Sequence, residues 1–499
     1  MEAKSEMDLT KGNLFWKIPL FALPMAFTSI LQLLYTSVDL YSVNKWGGGG
    51  SSMSAVGSNG ALINLLVTVF VSLSLGANVA IGNAKGAGHR EHAQKVLHTS
   101  LLVAVITGIL VGIFGAIFSR YFLQWMGTND SIIENATAYL QIYFIGLPFL
   151  MVYNYCAQIM RALGDSRRPL YILIISGLIN VLFDFIFVYY CRWDVRGVAW
   201  ATVLCEAVSA ILSWMVLALN KKGYIQFHWK EFRFDRESFF EIIKIGLPAG
   251  FQGLAFSIPN VLIQSSLYSI SSETINNVVI DNNNIVAGSS ASGNIEGYIY
   301  AMIDAVASAC VAFVSQNYGA HNRSHIRKVF WYCQIWMMIF WVITAGAAIG
   351  FGKPLLSIFI RDDPQKGIYQ EQAIPAGYER LLVLAISYFL DGIMDVCSGY
   401  LRGMRYSTPP AIITLCGCTI SRIIFLTWFF PSAYFGGFFH TVAWLYAVFP
   451  ISWILTDLAY LVAILIITPR AFAKINDPHV VSEAVAIDSR DPNSHGGES

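Results

Sequence analysis

The residues of this chain best placed to do chemistry are carboxylates embedded in apolar sequence. Asp184 stands in the run SGLINVLFDFIFVYY (176–190), and Asn180, four residues earlier, shares its face on a helix. A charge at the centre of a bilayer costs at least about 2.5 kcal/mol on insertion scales, so an acid kept there is a functional candidate by default. Asp39, Glu206, Glu296, Asp304, Asp391, Asp395 and Asp457 also fall in or beside apolar runs. Each needs a partner or a water-filled cavity, and for Glu206, Glu296 and Asp457 a helix end or a basic neighbour is the expected answer. Asp391 and Asp395 lie four apart, which puts both carboxylates on one helical face and disfavours their joint ionisation. A carboxyl group in a low dielectric holds its proton to higher pH and so responds to a proton or a cation. Asn180 can add an amide oxygen, and Thr202 in the next run a hydroxyl; oxygen donors of this kind suit a hard cation such as Na⁺. The competing role for Thr202 is a bond to its own helix backbone.

The elements that carry these residues are membrane spans. The 499 residues are 56% hydrophobic and only 13% charged, with a mean hydropathy of +0.56, which describes an all-α polytopic membrane protein. A net charge of +1 gives no electrostatic case for nucleic acid. Eight scattered cysteines form no CxxC pair and read as small packing residues. The start, MEAKSEMDLTKGN, has no signal-peptide pattern, so the first span is expected to act as its own uncleaved signal. Apolar runs near the length that crosses a bilayer occur at 18–43, 55–81, 96–118, 136–157, 169–190, 198–219, 239–267, 297–314, 329–350, 381–401, 409–430 and 442–467, which makes twelve spans. Between them, WGGGGSSMS (46–54) and NNVVIDNNN (276–284) read as polar loops, and the chain from Pro469 reads as a disordered tail.

Lys and Arg number 22 in the termini and even-numbered loops against 8 in the odd-numbered ones, Arg380 among the latter. That bias predicts cytoplasmic termini. His89, His92, His321 and His325 fall in the basic loops, where topology explains them better than metal binding does. An internal repeat is also legible. Leu23-Pro24 matches Leu247-Pro248 at an offset of 224, and Gly86-Ala87 with His92 matches Gly319-Ala320 with His325 at 233. Arg161, Ser166 and Pro169 match Arg402, Ser407 and Pro410 at 241, and Val198-Ala199-Trp200 matches Val442-Ala443-Trp444 at 244. Six spans have been duplicated. Six is even, so both halves run the same way and the axis lies along the membrane normal, an arrangement suited to alternating access about a central cavity.

Together, LPMAFTSILQLLYTSVDL, SAVGSNGA, GAGHREHAQKV, RALGDSRRP and NVLFD in the first half, with GLPAGFQ, VSQNYGAHNRSHIRKV and SGYLRGMRYSTPP in the second, resemble the multidrug and toxic compound extrusion (MATE) transporters over about residues 12–470. The resemblance implies two pseudo-symmetric six-helix bundles forming a V around a central cavity, and export of organic cations or amphipathic compounds against H⁺ or Na⁺. In DinF-like members the coupling site combines acids, an amide and a hydroxyl, and the matching positions are Asp39, Asn180, Asp184 and Thr202, which makes Na⁺ possible there. In NorM-like members the tenth span carries an acid, matched by Asp391. The glutamate expected about eight residues after the seventh span's proline is replaced by Phe256, and Asp395 stands where an amide is expected. This departure favours coupling in the first half, with Asp391 and Asp395 as a possible second substrate or proton site.

The expected organisation is an N-terminal segment (1–13), an N-lobe (14–220), a cytoplasmic linker (221–237), a C-lobe (238–469) and a tail (470–499). The expected function is a secondary active exporter of small cationic or amphipathic molecules, acting as a monomer in contact with lipid in a bacterial inner membrane, with no cofactor beyond the coupling ion. A flippase for a lipid-linked sugar favours a basic cavity, and Arg422 is the only deep basic residue in the sequence. An intramembrane aspartyl protease needs its dyad on two helices with a Gly-x-Gly-Asp stretch, and neither holds for Asp391 and Asp395. A passive channel would conduct without counter-ion dependence.

Overall fold

Twelve helices long and apolar enough to cross a membrane account for most of the chain in the computed structural model, which describes residues 6–221, 223–275, 278–363, 367–431 and 435–475. They are α1 (Leu14–Trp46), α2 (Gly50–Gly86), α3 (Arg90–Trp125), α4 (Asp130–Ala162), α5 (Arg167–Tyr190), α6 (Asp194–Leu219), α7 (Arg236–Leu267), α8 (Asn282–Gly319), α9 (Arg323–Gly350), α11 (Gln370–Gly403), α12 (Thr408–Phe429) and α13 (Val442–Ile475), with a short α10 (Gly352–Phe359) between α9 and α11. Each expected span lies inside one of them to within a residue. Caps set several starts: Asn129 accepts from the Ser131 amide at 3.0 Å ahead of α4, and Asp235 accepts from the Ser238 amide at 2.8 Å ahead of α7. The Ser238 hydrogen bonds hold the Asp235 carboxyl below the usual carboxylate range.

Tertiary contacts extend helix into three stretches expected to be loop or tail. Only residues 47–49 separate α1 from α2, because Asp194 at the start of α6 accepts from the Gly48 amide at 2.8 Å and the Ser52 hydroxyl at 2.7 Å. In the second polar stretch, Val278–Asp281 pairs antiparallel with Ser272–Ile275, and α8 begins at Asn282; residues 276 and 277 lie outside the described residues. Asn282 donates to the Leu267 carbonyl at 2.9 Å, and Asn284 to Gln372 at 2.9 Å, which satisfies amides that sequence alone assigns to solvent. Pro469 lies inside α13, and the tail from 476 to 499 is outside the described residues.

The apolar interior divides into two large cores, and α1 and α7 each cross from one to the other. The first half of α1 (Leu14, Ile18, Phe21, Met25, Ala26) packs with the core of the C-terminal helices, whereas Val43 near its far end belongs to the N-terminal core. The exchange is reciprocal: Ile242 of α7 sits in the N-terminal core, and Ile263 and Leu267 in the C-terminal one. Pro24 and Pro248 stand where the crossings occur, as proline tolerated inside bilayer helices does.

At the end bearing the basic loops, the halves clasp each other by a contact made twice. Asn83 of α2 reaches the Gly403 carbonyl at 3.5 Å, and Gln316 of α8, its repeat mate at the 233 offset, reaches the Ala162 carbonyl at 2.6 Å. Ala162 and Gly403 are themselves mates at 241. Gly86 and Gly319 allow the approach, since a Cβ on either would overlap the carbonyl oxygen of Gln316 or Asn83 respectively. The N-terminal segment ties over the same seam. Met7 donates its amide to the Gly164 carbonyl at 3.0 Å, while Asn317 and His325 contact the Leu9 and Thr10 carbonyls at 2.9 and 2.8 Å.

Arg380, counted from sequence among the loop cations, lies inside α11 and forms a two-pronged ion pair with Glu296 of α8 at 2.8 and 2.9 Å. Glu296 thus has the basic neighbour expected for it. Breaking one side of such a buried pair leaves an uncompensated charge, whereas removing both leaves none. We expect Arg380→Leu to lower stability by about 3–5 kcal/mol and the Glu296→Leu/Arg380→Leu double substitution to recover most of it, as read by unfolding in detergent. At the seam, Gly319→Leu should overpack the α2–α8 crossing by about 1–3 kcal/mol, with a matching fall in melting temperature. An unchanged melting temperature would show that the seam does not need the close approach.

Candidate functional site

The N-terminal acids meet where α1, α5 and α6 pack together. Tyr35 fixes the relative height of α1 and α5: its hydroxyl donates to the Leu173 carbonyl at 3.1 Å, and its ring occupies the space that a Cβ on Gly177 would take. One turn beyond Tyr35, Asp39 faces α5. Its carboxyl group contacts the side chains of Asp184, Asn180 and Thr202, so four side chains from three helices converge on one point. Thr202 donates to the Val198 carbonyl at 3.0 Å and points its hydroxyl at Asp39 Oδ2 at 3.4 Å. The hydroxyl therefore serves its own helix first and the acid second.

Asp184 is fully buried, and neither of its carboxylate oxygens meets a hydrogen-bond donor. Asp39 Oδ1 and Asn180 Oδ1 are likewise without a donor. No Lys, Arg or His among the described residues forms an ion pair with these acids. Two carboxyl groups in contact, with no counter-charge, are stable when a proton or a cation lies between them. Glu206, one turn from Thr202 on α6, does not meet the basic neighbour or helix end expected for it: its Oε2 is buried without a donor among the described residues, and it lies against Gly146 of α4. Tyr139 and Tyr143 of α4 stand close enough to feel its charge. The signal for Glu206 was the four-residue spacing from Thr202, which puts both on one face.

The chain just past Asp184 is irregular. Residues Phe185–Tyr190 form wide π-helical turns, and so do Phe425–Phe429 of α12, at the repeat-equivalent place. Such turns recur at functional sites, because they shift side chains out of α-helical register. The acid itself is present once: Phe425 is the mate of Asp184, and Ser421 the mate of Asn180, at the 241 offset.

In the C-terminal half Asp391 and Asp395 stand one turn apart on α11 but serve different neighbourhoods. Asp391 is buried and lies near Arg422 of α12, whereas half-buried Asp395 faces Tyr300, Asp304 and Arg402. Both belong to one helix, so they do not form the two-helix dyad of an aspartyl protease. Arg422 is joined inside the helices by Arg161, Arg380 and Arg402, a set of deep cations that sequence pattern did not separate from loop residues. No group of three or more His, Cys, Asp or Glu side chains among the described residues has the arrangement of a metal-holding cluster.

Comparison with known proteins gives the family. The MatE family model matches residues 24–186 and 257–428, one block in each half. The chain is 24% identical over 430 residues to the probable multidrug resistance protein YoeA of Bacillus subtilis, covering 83% of this chain and 88% of that one. It is 23% identical over 411 residues to the probable multidrug resistance protein NorM of Thermotoga maritima, covering 81% and 82%. Its fold matches a MOP superfamily transporter from Pyrococcus furiosus with a TM-score of 0.81 at 20% identity, over 96% of this chain and all of that one. Two matched blocks, placed as the internal repeat places them, together with the shared twelve-helix fold, make this chain a membrane transporter that belongs to the MatE family.

Proposed function

We propose that the protein exports small amphipathic or cationic molecules by alternating access, coupled to inward movement of H⁺ or Na⁺ through the Asp39–Asp184 pair. One observation carries this reading: Asp39 and Asp184 meet in the buried interior with Asn180 and Thr202 beside them, and no cation among the described residues pairs with them. A site built so changes its net charge whenever a proton or Na⁺ enters or leaves. Two carboxylates, an amide oxygen and a hydroxyl form a donor set of the hard type that Na⁺ accepts. The ion shifts the balance between states only by binding them unequally, and α1 gives it a lever, since that helix joins both cores. The seam of Asn83, Gln316, Gly86 and Gly319, with the N-terminal segment across it, closes the end with basic loops, which fits an outward-open state with cytoplasmic termini. The multidrug resistance names of YoeA and NorM support the substrate class, and their bacterial sources support the plasma membrane. The N-lobe (14–220) and the C-lobe (238–469) move as the two rocking bodies of a monomer in this reading.

Efflux of ethidium from reconstituted vesicles tests it. Asp184→Asn keeps the size and removes the titrating charge, and should lower coupled efflux at least about tenfold, the loss of one charge-assisted interaction. Efflux equal to wild type in correctly inserted protein rules the pair out as the coupling site. The ion is identified separately by imposing either a Na⁺ gradient at zero pH difference or a pH gradient without Na⁺; the effective ion drives efflux in wild type and fails in Asp39→Asn.

A further inference from the structure

Two guanidinium groups lie against the ring of Phe449 in α13, and their circumstances differ sharply. Arg380 stands 5.9 Å from the ring centroid and is saturated, with Glu296 on Nε and Nη2 and Ser289 Oγ on Nη1 at 2.8 Å. Arg422 stands 4.5 Å from the same centroid and is 1% exposed. It donates Nε to Ser452 Oγ at 2.9 Å and Nη1 to Asn260 Oδ1 at a long 3.4 Å, and its Nη2 donates to nothing among the described residues. No carboxylate among the described residues forms an ion pair with it. Asp391 is near enough to feel its charge without touching it.

Aromatic contacts do not settle that charge. Stacking on Phe449, with Trp453 5.8 Å away, offsets only part of the desolvation cost of a buried ion. The deficit points to an anion. The way in is marked by Asn260, a polar side chain exposed on α7 two turns before the helix ends at Leu267. Nη1, held weakly by Asn260, and the unpartnered Nη2 form the edge of the guanidinium nearest that exposed position. A planar carboxylate matches the fork of that edge.

We propose that Arg422 is an anion-recognition residue of the C-terminal half: it binds the carboxylate of an aromatic substrate entering past Asn260, and so selects such compounds over their esters. Asp391, which feels the charge of Arg422 without an ion pair to it, is placed for an amine on the same molecule, so aromatic amino acids in the broad chemical sense fit both ends of the site. The inference deepens the export reading and rests on it for the word substrate, but the binding site stands or falls by itself.

The test is equilibrium binding in lipid nanodiscs, by fluorescence polarisation, of a rhodamine with a free carboxyl group and of its methyl ester. Wild type should bind the acid more tightly than the ester by about tenfold, the worth of a hydrogen-bonded charge. Arg422→Gln should bring the ratio to about one, and Arg422→Lys, which keeps the charge without the fork, should fall between. Asn260→Asp sets a carboxylate of the protein against Nη1 at an open position that packing does not constrain, and should abolish the preference with Arg422 still present. No preference in wild type, or a preference kept in both Arg422→Gln and Asn260→Asp, overturns the assignment. Wild type that binds the acid preferentially and transports neither dye in vesicles keeps the site and refutes the export reading.

Discussion

An ion removed from water must be met by an opposite charge, a proton or a ring of dipoles, and the organisation of this molecule follows from how each buried ion is met. Glu296 and Arg380 meet each other and are structural. Asp39 and Asp184 meet only each other, with an amide and a hydroxyl beside them, so their neutralisation must come from outside the protein. Arg422 meets a hydroxyl, an amide oxygen and two rings, which leaves it short of an anion. The three cases form a gradient from self-sufficient to ligand-dependent. In a bilayer, where water is not available to make up the difference, that gradient separates scaffold from function.

The duplication explains why the sites differ. Two copies of a six-helix unit share their mechanical parts: the proline-marked crossing helices, the Asn83 and Gln316 clasp, the paired glycines and the π-helical turns in α5 and α12. The chemistry was not kept in both. Asp184 has become Phe425, and Arg422 follows directly after Ser421, the mate of Asn180.

Reciprocal crossing of α1 and α7 is the route that the proposed coupling would take. A change in charge at Asp39 acts on a helix whose other half is buried in the opposite core, so the two lobes are not independent at that point. Cores are close-packed and resist continuous deformation, so a shift of α1 favours one packing over another instead of a gradual change.

Twelve spans, the duplication and the acids Asp39 and Asp184 inside spans were legible in the sequence, because hydropathy and repeated motifs are local or one-dimensional signals. Helix length was not: Asp194 extends α2 into a glycine-rich run, and Asn282 and Asn284 draw a polar stretch into α8, through partners distant in the chain. The same limit applied to Glu206 and Arg380. Nothing local separates an acid that finds an arginine across a helix interface, as Glu296 does, from one that finds no counter-ion among the described residues, as Glu206 does. Which residue types enter the membrane is set by the transfer energy of each side chain and is written in the chain; which of them touch is set by helix packing, and only the tertiary structure decides it.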